Sequence, residues 1–374
     1  MRRLLLLAIL AACHRDIVVD VGPVSDVQAK AFVTSLLDTV GASCDTDKIA
    51  PLVDEEALAG YVLQHSKAEG PERVIAAKTM EDRRTGATVL CSWFALEPGS
   101  KFSFLHLVDG APIIRKMAKV NHTTAVTYFR LVLGTTKSDN VVRVDDAYSF
   151  TEGTTISEGL AETVDAGIKA GVTSSLNLTK AMKEITALRA DHKPQEAMAT
   201  LDALPAEMRE LRALRVLRVF IAREISNERY SQEMAAVLAK YPNDPSLALI
   251  AIDEAALRKD YPGTLKQIDL LDHAIGGDAF QDAVRASIYF QAGDFKQARA
   301  HAEAAVKVEP RLVRAQFSLV DAEAALHDNT AVLATLRTLA KLGQTLPASA
   351  IAPLPHYDEF AKSPEFQIWA AEHP

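Results

Sequence analysis

Apolar residues change their spacing along the chain, and the change predicts three kinds of segment. From about residue 24 to residue 80 they recur as on one face of an α-helix. Ser25 can cap a first helix over Asp26–Val40, and further helices are predicted over Glu55–Leu63 and Pro71–Met80. Between residues 101 and 150 apolar and polar positions alternate, which is typical of half-buried strands. Beyond about residue 176 the helical spacing returns.

The alternating region contains four strand-length segments with turn signals between them. The strands are predicted over Lys101–Val108, Pro112–Val120, Thr123–Gly134 and Val141–Phe150. The turns are Asp109-Gly110, Asn121-His122 and the stretch 137–140. Strands joined by such short turns form an antiparallel meander, which can bury one face against the preceding helices. The sequence therefore predicts an α+β domain over residues 24–172.

Helices followed by a meandering sheet resemble the nuclear-transport-factor-like (cystatin-like) cone fold. The resemblance implies a pocket between a curved sheet and its helices. This fold serves enzymes, such as dehydratases and isomerases, and also domains that only bind or pack. The fold alone does not decide between these functions.

Asp146 is the acid on an otherwise apolar face of the last predicted strand. Strict alternation gives that face the residues Val142, Val144, Asp146, Tyr148 and Phe150. Burial would raise the pKa of the Asp146 carboxyl unless a neighbour such as Arg130 compensates. Together with His106, which alternation places beside Phe102 and Phe104, these residues form a candidate acid–base pocket. The alternative is a structural Asp146 bonded to the backbone or to arginine.

The helical region after residue 176 contains a stretch that resembles the tetratricopeptide repeat. The matching residues are Ala286, Tyr289, Gly293, Phe295, Ala298, Ala305 and Pro310. Small alanines let two helices pack closely, a Gly-Asp pair turns between them, and the proline ends the second helix. The resemblance implies an all-α solenoid in which each unit packs against its neighbours.

Helix-end signals recur at the length of that repeat. They stand at Pro242, Gly276 and Pro310, with the spacing of about 34 residues that the family shows. Repeats are therefore predicted to start near Leu211, Pro245, Ala279 and Val313, after a shorter hairpin from Asn177 to Leu204. We assign residues 176–346 to this array, with 279–312 as its clearest repeat, and residues 347–374 to an aromatic C-terminal cap.

In the tetratricopeptide family, the first helices of the repeats line a groove that binds peptides or proteins. Repeat position places these residues on it: Arg212, Arg215, Val219, Leu249, Asp253, Phe280, Ser287, Phe290, Arg314, Phe317 and Asp321. Arg209, Arg212 and Arg223 are predicted to share a helical face and could bind carboxylates bidentately. The alternative is a solvated, salt-bridged face. If Arg212 and Arg223 are exposed, truncating both to Ala should leave the melting temperature nearly unchanged.

The N-terminus resembles a bacterial lipoprotein signal. Arg2-Arg3 and a short apolar run precede Leu10-Ala11-Ala12-Cys13. The run is too short for a membrane-spanning helix, which needs about 20 apolar residues. The resemblance implies cleavage of residues 1–12, lipid on Cys13 and a tether over 13–23. In the enterobacterial sorting rule an Asp after the cysteine retains the protein at the inner membrane, so His14 favours the outer membrane, facing the periplasm. An ordinary secretory signal is the alternative.

Two further cysteines, Cys44 and Cys91, form an even pair in a chain of ordinary composition. In an oxidising compartment they could form a disulfide bond. The alternative is two separate buried thiols. Two cysteines are too few for a structural zinc site, and no phosphate loop, nucleophile elbow or His-Glu-x-x-His motif occurs. We expect neither a metal nor a cofactor.

The charge of the chain bears on its partners. The formal net charge of −8 becomes −10 without residues 1–12, which carry two arginines and no acid. A mildly acidic chain without a basic run is not expected to bind nucleic acid. The sequence therefore favours a lipid-anchored, non-enzymatic scaffold of the cell envelope that binds a protein or peptide partner. The alternative is an enzymatic or ligand-binding first domain, with the repeats as its attachment.

Overall fold

The structure is a computed structural model of the 374-residue chain. It describes residues 21–40, 44–80, 84–94, 100–120, 123–136, 140–170, 172–242, 244 and 247–373. The signal segment, Cys13 and most of the tether lie outside these residues. The described residues form two compact units, the first ending at Leu247 and the second starting at Ala248. The first unit thus includes helices that the sequence assigned to the repeat array.

The first unit begins as an α+β structure. Before the sheet, the structure has β1 (Val21–Gly22) and the helices α1 (Asp26–Val40), α2 (Thr46–Ile49), α3 (Glu55–His65), α4 (Pro71–Thr79) and α5 (Thr85–Phe94). Ser25 Oγ accepts a hydrogen bond from the backbone N of Gln28 at 3.4 Å, as expected of the residue that caps α1. Helix α5 is a finding that the apolar spacing did not predict.

The sheet contains four long strands in chain order. They are β2 (Lys101–Val108), β3 (Ala111–Val120), β4 (Thr123–Thr136) and β5 (Val142–Ser149), with the short β6 (Thr154–Thr155) after them. Each strand pairs antiparallel with the next, and β1 pairs with the end of β4. Asp109 and Gly110 both have positive φ angles, 50° and 78°, in the two-residue turn between β2 and β3. An antiparallel meander was predicted, and the structure has one.

Two β-bulges change which side chains share a face of this sheet. In β2, Phe104 pairs with Ile114 and His106 with Ile113, so Leu105 is the extra residue. In β5, Val144 pairs with Leu133 and Asp146 with Val132, so Asp145 is the extra residue. A bulge inserts one residue and reverses the alternation beyond it. Neither bulge was predicted from the sequence.

The core of the α+β part lies between one sheet face and helices α1 and α5. It contains Val33, Leu36, Leu90, Phe94, Ile114, Phe129, Leu131, Val144 and Ala147, all buried. The Phe94 ring stacks on Phe102 and Phe129, with centroid distances of 4.9 and 5.0 Å. Apolar burial of this kind is the main contribution that favours folding.

Helices follow the sheet to the end of the first unit. They are α6 (Ile156–Ala170), α7 (Val172–Ala190), α8 (Pro194–Asp202), α9 (Ala206–Arg209), α10 (Arg212–Ile225) and α11 (Asn227–Lys240). Helix α6 packs on α3 and on β5, so the α+β part has a helix after its sheet that the prediction lacked. His192 turns between α7 and α8 with a positive φ of 58°, at the predicted hairpin.

The second unit is all-helical and is built of hairpins. Its helices are α12 (Ala248–Leu257), α13 (Tyr261–Ile275), α14 (Ala279–Gln291), α15 (Phe295–Val308), α16 (Val313–Ala325), α17 (Asn329–Lys341), α18 (Ala348–Ile351) and α19 (Pro364–Glu372). In the described residues no helix is both long enough and apolar enough to cross a membrane.

The turns of these hairpins repeat at regular positions. The residues with positive φ are Lys259, Gly293 and His327, and each is followed by an aspartate that caps the next helix, Asp260, Asp294 and Asp328. Both series advance by about 34 residues, the length of the predicted repeat. His327 thus adopts the left-handed conformation that Gly293 adopts one repeat earlier. The all-helical region is compatible with a tetratricopeptide-like solenoid.

The C-terminal segment of the second unit packs through its aromatic side chains. Tyr357, Phe360 and Trp369 are buried with Leu336 and Leu339 of α17. Trp369 Nε1 donates to the carbonyl oxygen of Leu346 at 3.0 Å, which satisfies its one polar atom. These residues close the end of the last hairpin.

Candidate functional site

Two residues of the predicted acid–base pocket, Asp146 and His106, do not have the predicted environment. The bulge at Asp145 puts Asp146 on the face of Val132, opposite to Val144. The bulge at Leu105 likewise puts His106 on the face of Ile113, opposite to Phe104. His106 and Arg130 both pair with Ile113 and so lie on two non-adjacent strands. The expectation that Asp146 and His106 share faces with their apolar neighbours at i−2 is therefore wrong.

Asp146 has a structural environment. Its Oδ1 accepts hydrogen bonds from the backbone N of Ala147 at 2.8 Å and of Ser157 at 3.2 Å, and its Oδ2 accepts one from Ser157 Oγ. Ser157 lies in the first turn of α6, where a carboxylate is favoured by the helix dipole. Burial raises the pKa of Asp146, and the hydrogen bonds from Ser157 and Ala147 oppose this rise. We infer that Asp146 joins β5 to α6.

Its neighbour Asp145 was not predicted as a special residue. This side chain is 1% exposed, and neither of its carboxylate oxygens has a hydrogen-bond partner among the described residues. Burial, followed by the negative charges of Asp54 and Asp146, raises the pKa of Asp145 to about 7. The sequence did contain a signal for a buried acid, namely the consecutive residues Asp145 and Asp146. Because successive residues of a strand face opposite sides of the sheet, the two side chains cannot both face solvent.

Cys44 and Cys91 are brought together in the first unit. The structure joins them by a disulfide bond with a Cα–Cα distance of 5.3 Å, which lies within the normal range. Cys91 belongs to α5, and Cys44 precedes α2. The bond therefore fixes the unpredicted helix α5 beside the start of the chain's second helix.

A cavity of about 750 Å³ lies within the first unit, between α6 and the α9–α10 segment. Charged side chains line much of it, and several of its acids are already bonded. Asp165 accepts hydrogen bonds from Ser66 Oγ and from the backbone N of Lys67. Glu158 accepts one from the backbone N of Thr155 at 3.0 Å. Asp146, His106 and Arg130 do not line this cavity.

The predicted arginine face is divided between two helices. Arg209 ends α9, whereas Arg212 begins α10, so Arg209 does not continue the face of Arg212 and Arg223. Val219, predicted to line the groove, is fully buried instead. Repeat position predicted neither the burial of Val219 nor the helix break between Arg209 and Arg212.

The arginines of α10 have partners within the first unit. Arg212 donates from Nε to the carbonyl oxygen of Glu152 at 3.0 Å and from Nη1 to Asp244 at 2.8 Å. Its guanidinium carbon also lies 4.6 Å from the centre of the Tyr241 ring. Arg215 pairs with Glu210, and Arg223 lies over the Tyr230 ring at 5.6 Å. This is the salt-bridged arrangement that was the alternative to a carboxylate clamp.

In the second unit, the first helices of the hairpins are α12, α14 and α16. We call the surface they share the first-helix face, defined by Asp253, Phe280, Ser287, Phe290, Arg314, Phe317 and Asp321. Helices α14 and α16 pack directly on each other. Ser287 Oγ of α14 and Ser318 Oγ of α16 are 3.2 Å apart. The structure therefore places α14 and α16 side by side.

Arg314 covers Phe280 on this face. Its guanidinium carbon lies 5.3 Å from the centre of the Phe280 ring, and Phe280 is only 3% exposed. Phe280, predicted as a groove residue, therefore offers a partner no surface of its own. Burial lowers the pKa of Arg314, and the negative charge of Asp253 opposes this shift.

The C-terminal segment covers the other end of the first-helix face. The His356 ring contacts the Phe290 ring at a centroid distance of 5.4 Å, with the two planes nearly perpendicular. Tyr357 Oη donates to Asp321 Oδ1 at 2.8 Å. Phe317 packs against the core that contains Tyr357 and Phe360. Phe290, Phe317 and Asp321 of this face are therefore in contact with the C-terminal segment.

The acidic residues near Tyr61 do not form a metal site. Across the described part of the chain, no group of three or more His, Cys, Asp or Glu side chains is arranged to hold a metal ion. Asp54, Asp145 and Asp146 lie near Tyr61 and raise the pKa of its hydroxyl, after burial as the largest cause. These acids act on one another through their charges without forming a ligand shell.

Comparisons with known proteins show only a weak similarity. No protein-family model matches it, and no curated protein matches it. Among solved structures it is similar to a mutant of MamA, with 12% sequence identity and a TM-score of 0.36. That alignment covers 46% of this chain and 98% of the MamA chain. A similarity at this score supports no conclusion about fold or function.

Proposed function

We propose that this protein is a lipid-anchored scaffold of the cell envelope that binds a protein partner through the first-helix face. The observation that carries the proposal is the regular hairpin array of the second unit, with its turns at Lys259, Gly293 and His327. We infer that these hairpins are tetratricopeptide repeats, because their turns and aspartate caps recur at the length of that repeat, and the hairpin of α14 and α15 carries the small residues Ala286 and Ala298. Solenoids of this kind generally present their first helices as an extended binding surface.

The anchor is proposed from the sequence Leu10-Ala11-Ala12-Cys13. A diacylglyceryl group on Cys13, together with an acyl chain on its amino group, would hold the chain stably at a membrane. Mass spectrometry of the mature N-terminal peptide should show this modification. The variant Cys13→Ser should release the protein from the membrane fraction. An unmodified Cys13, or a mature N-terminus at another residue, would exclude lipid anchoring.

The binding face can be tested in intact membranes by site-specific photo-crosslinking. The photoreactive residue p-benzoylphenylalanine would replace Ser287 on the first-helix face, or Val308, which is 73% exposed at the end of the second helix α15. We expect a discrete crosslinked protein from position 287 and none from position 308. Equal crosslinking from both positions, or none from position 287, would contradict the proposal.

The enzymatic alternative draws no support from the cavity in the first unit. The residues suggested for acid–base chemistry do not line it, and Asp146 is engaged by Ser157. We therefore propose a non-catalytic role for the α+β part, namely to connect the membrane tether to the helical array. Whether that part belongs to the cone-shaped family stays a prediction of the sequence.

A further inference from the structure

The C-terminal segment of the second unit has two parts that differ in burial. The cap, which contains Phe360 and Trp369, is buried and closes the last hairpin. Before the cap, every residue from 352 to 356 is exposed, and the buried Tyr357 follows them. We call residues 352–357 the strap. The strap is thus exposed along most of its length, whereas the cap is part of a core.

The backbone of the strap is held by its own turns. The backbone N of Leu354 donates to the carbonyl oxygen of Ile351 at 2.9 Å, and that of Tyr357 donates to the carbonyl oxygen of Leu354 at 3.2 Å. Among the described residues, no backbone hydrogen bond joins the strap to the first-helix face. His356 has a positive φ of 69°, in the region that favours glycine. Segments with few buried contacts and exposed hydrogen bonds open locally at low cost.

Two side chains hold the strap on the first-helix face. The His356 ring contacts the rings of Phe290 and Phe295, at centroid distances of 5.4 and 5.1 Å. Tyr357 Oη donates to Asp321 Oδ1 at 2.8 Å. Burial raises the pKa of the Asp321 carboxyl, and the hydrogen bond from Tyr357 and the charge of His356 oppose this rise. Phe290 and Asp321 are both residues that repeat position assigns to the binding face.

We propose that the strap is an internal occupant of the first-helix face, which a partner displaces when it binds. This inference rests on the proposed function of that face and adds a control on its accessibility. A partner segment reaches this part of the face by giving Phe290 another ring to contact and Asp321 another hydrogen-bond donor. Because the strap is attached to the chain at both ends, its effective concentration at the face is high and it competes with every partner.

The alternative is that the strap and the cap are one structural element. The cap has hydrogen bonds of its own, from Trp369 Nε1 to the carbonyl oxygen of Leu346 and from the backbone N of Ala348 to the carbonyl oxygen of His373, both at 3.0 Å. Neither bond involves the strap. We therefore expect the strap to leave the face while the cap stays folded, and the test has to distinguish these two parts.

The variants are His356→Ala, Tyr357→Phe and both changes together, with Asp358→Asn as the control. His356→Ala removes the ring that contacts Phe290 and Phe295. Tyr357→Phe removes the hydrogen bond to the face and keeps the buried ring. Asp358 is exposed directly beside the strap, so its change leaves both contacts in place.

Partner binding is measured in intact membranes by crosslinking from p-benzoylphenylalanine at position 287. Each chain is induced to a series of levels, so that crosslinking is followed from its onset to its maximum. We expect the double variant to reach half of its maximum at a chain level lower than the wild type by about threefold or more, because a larger fraction of its faces is open. Asp358→Asn should follow the wild-type curve.

Hydrogen exchange on the purified mature chain separates the strap from the cap. In the wild type, the amides of residues 352–357 should exchange faster than those of residues 364–372, by about tenfold or more. In Tyr357→Phe, residues 364–372 should exchange as in the wild type, because the ring that packs in the cap is retained.

Several results would overturn the inference. In membranes, these are the same curve for the wild type and the double variant, or an equal shift by Asp358→Asn. In hydrogen exchange, they are equal rates for residues 352–357 and 364–372, or faster exchange of both in Tyr357→Phe, since the strap would then belong to the cap. If position 287 still crosslinks, the proposed function stands without control by the strap. No crosslinking from position 287 in any chain would contradict the proposed function and this inference together.

Discussion

Both units contain ionisable side chains with a buried atom that forms no hydrogen bond among the described residues, and two of these side chains differ in chemistry. One is the Asp145 carboxyl in the sheet, and the other is Arg314 in the helical unit, through its Nε. A carboxyl can lose its charge by binding a proton, and burial raises the pKa of Asp145 to about 7. A guanidinium cannot be neutralised at any pH at which proteins fold.

The difference shows how each kind of side chain can meet the cost of burial. Asp145 can meet the cost of burial by itself, because protonation removes its charge and supplies one O–H donor. Arg314 keeps its charge, which the Phe280 ring and the negative charge of Asp253 favour without an ion pair among the described residues. A buried acid without a partner therefore predicts pH-dependent stability, whereas an arginine stays charged at every pH.

The largest expected effect is the change of stability with pH that Asp145 causes. Since the unfolded chain loses the Asp145 proton near pH 4 and the folded chain holds it to about pH 7, the free energy of unfolding should fall as pH rises through this window. The loss through this one carboxyl is about 4 kcal/mol. Asp145→Asn should remove most of that slope. Denaturant titrations at several pH values, followed by Trp93 fluorescence in a Trp369→Phe background, measure the free energy of unfolding of the first unit.

The exposed Asp38 supplies the control, because Asp38→Asn removes the same charge from the surface of α1. It should leave the pH dependence as in the wild type. The prediction fails if the first unit of the wild type is as stable at pH 8 as at pH 5 and Asp145→Asn leaves the pH dependence of its stability unchanged. That result would mean that the Asp145 carboxyl is ionised and compensated in the folded chain.

A buried acid should also make the stability of the second unit depend on pH, by a somewhat smaller amount. Glu323 is buried, its Oε2 lacks a partner among the described residues, and burial raises its pKa to about 7 against a hydrogen bond from Thr335. Stability of this unit should therefore also fall between about pH 4 and pH 7, by about 3 kcal/mol through this group. Trp369 fluorescence in the Glu323→Gln variant, compared with wild type, measures the difference. If Glu323→Gln leaves the pH dependence of stability unchanged, this prediction is contradicted.

Arg212 provides the paired counterpart of Arg314. Arg212→Ala removes the bond to Asp244 and leaves the Glu152 carbonyl oxygen without this donor. Breaking a largely buried ion pair is costly because the remaining charge is left unpaired, so we expect a loss of about 2–3 kcal/mol. This replaces the expectation that truncating Arg212 is harmless. Arg223→Ala, on an exposed residue over Tyr230, should cost less than about 1 kcal/mol. Equal effects of the two changes would refute the contrast.

Local sequence signals predicted much of the fold. The bounds of α1 and of β2 agree with the prediction, and three turn residues of the second unit lie one repeat apart. Such features depend on neighbours along the chain, namely apolar spacing, caps and turn residues. Helix α5 was missed because its run Thr85–Phe94 is short and mostly apolar, and such a run does not distinguish a buried helix from a strand.

The candidate site was less predictable because it depends on residues far apart in sequence. Whether an arginine is free is decided by its partners, and Arg212 finds its own in Glu152 and Asp244. Repeat position placed Arg212 and Arg314 on equivalent surfaces, yet of these two only Arg212 has an acid partner among the described residues. The bulge at Asp145 has the same origin, since strand pairing rather than the strand's own sequence determines where the extra residue lies.

The smallest expected effect completes the comparison. Arg314→Ala removes a cation over Phe280, a loss of about 0.5–1 kcal/mol, but it also removes the cost of holding an unpaired charge partly out of water. Because these contributions oppose each other, the free energy of unfolding should change by less than about 1 kcal/mol. Arg285→Ala, which leaves three aspartates without their common partner, should cost about 2–3 kcal/mol in the same unit. Denaturant unfolding read from Trp369 compares the two, and a loss for Arg314→Ala as large as that for Arg285→Ala would show that Arg314 already has its partner inside the chain.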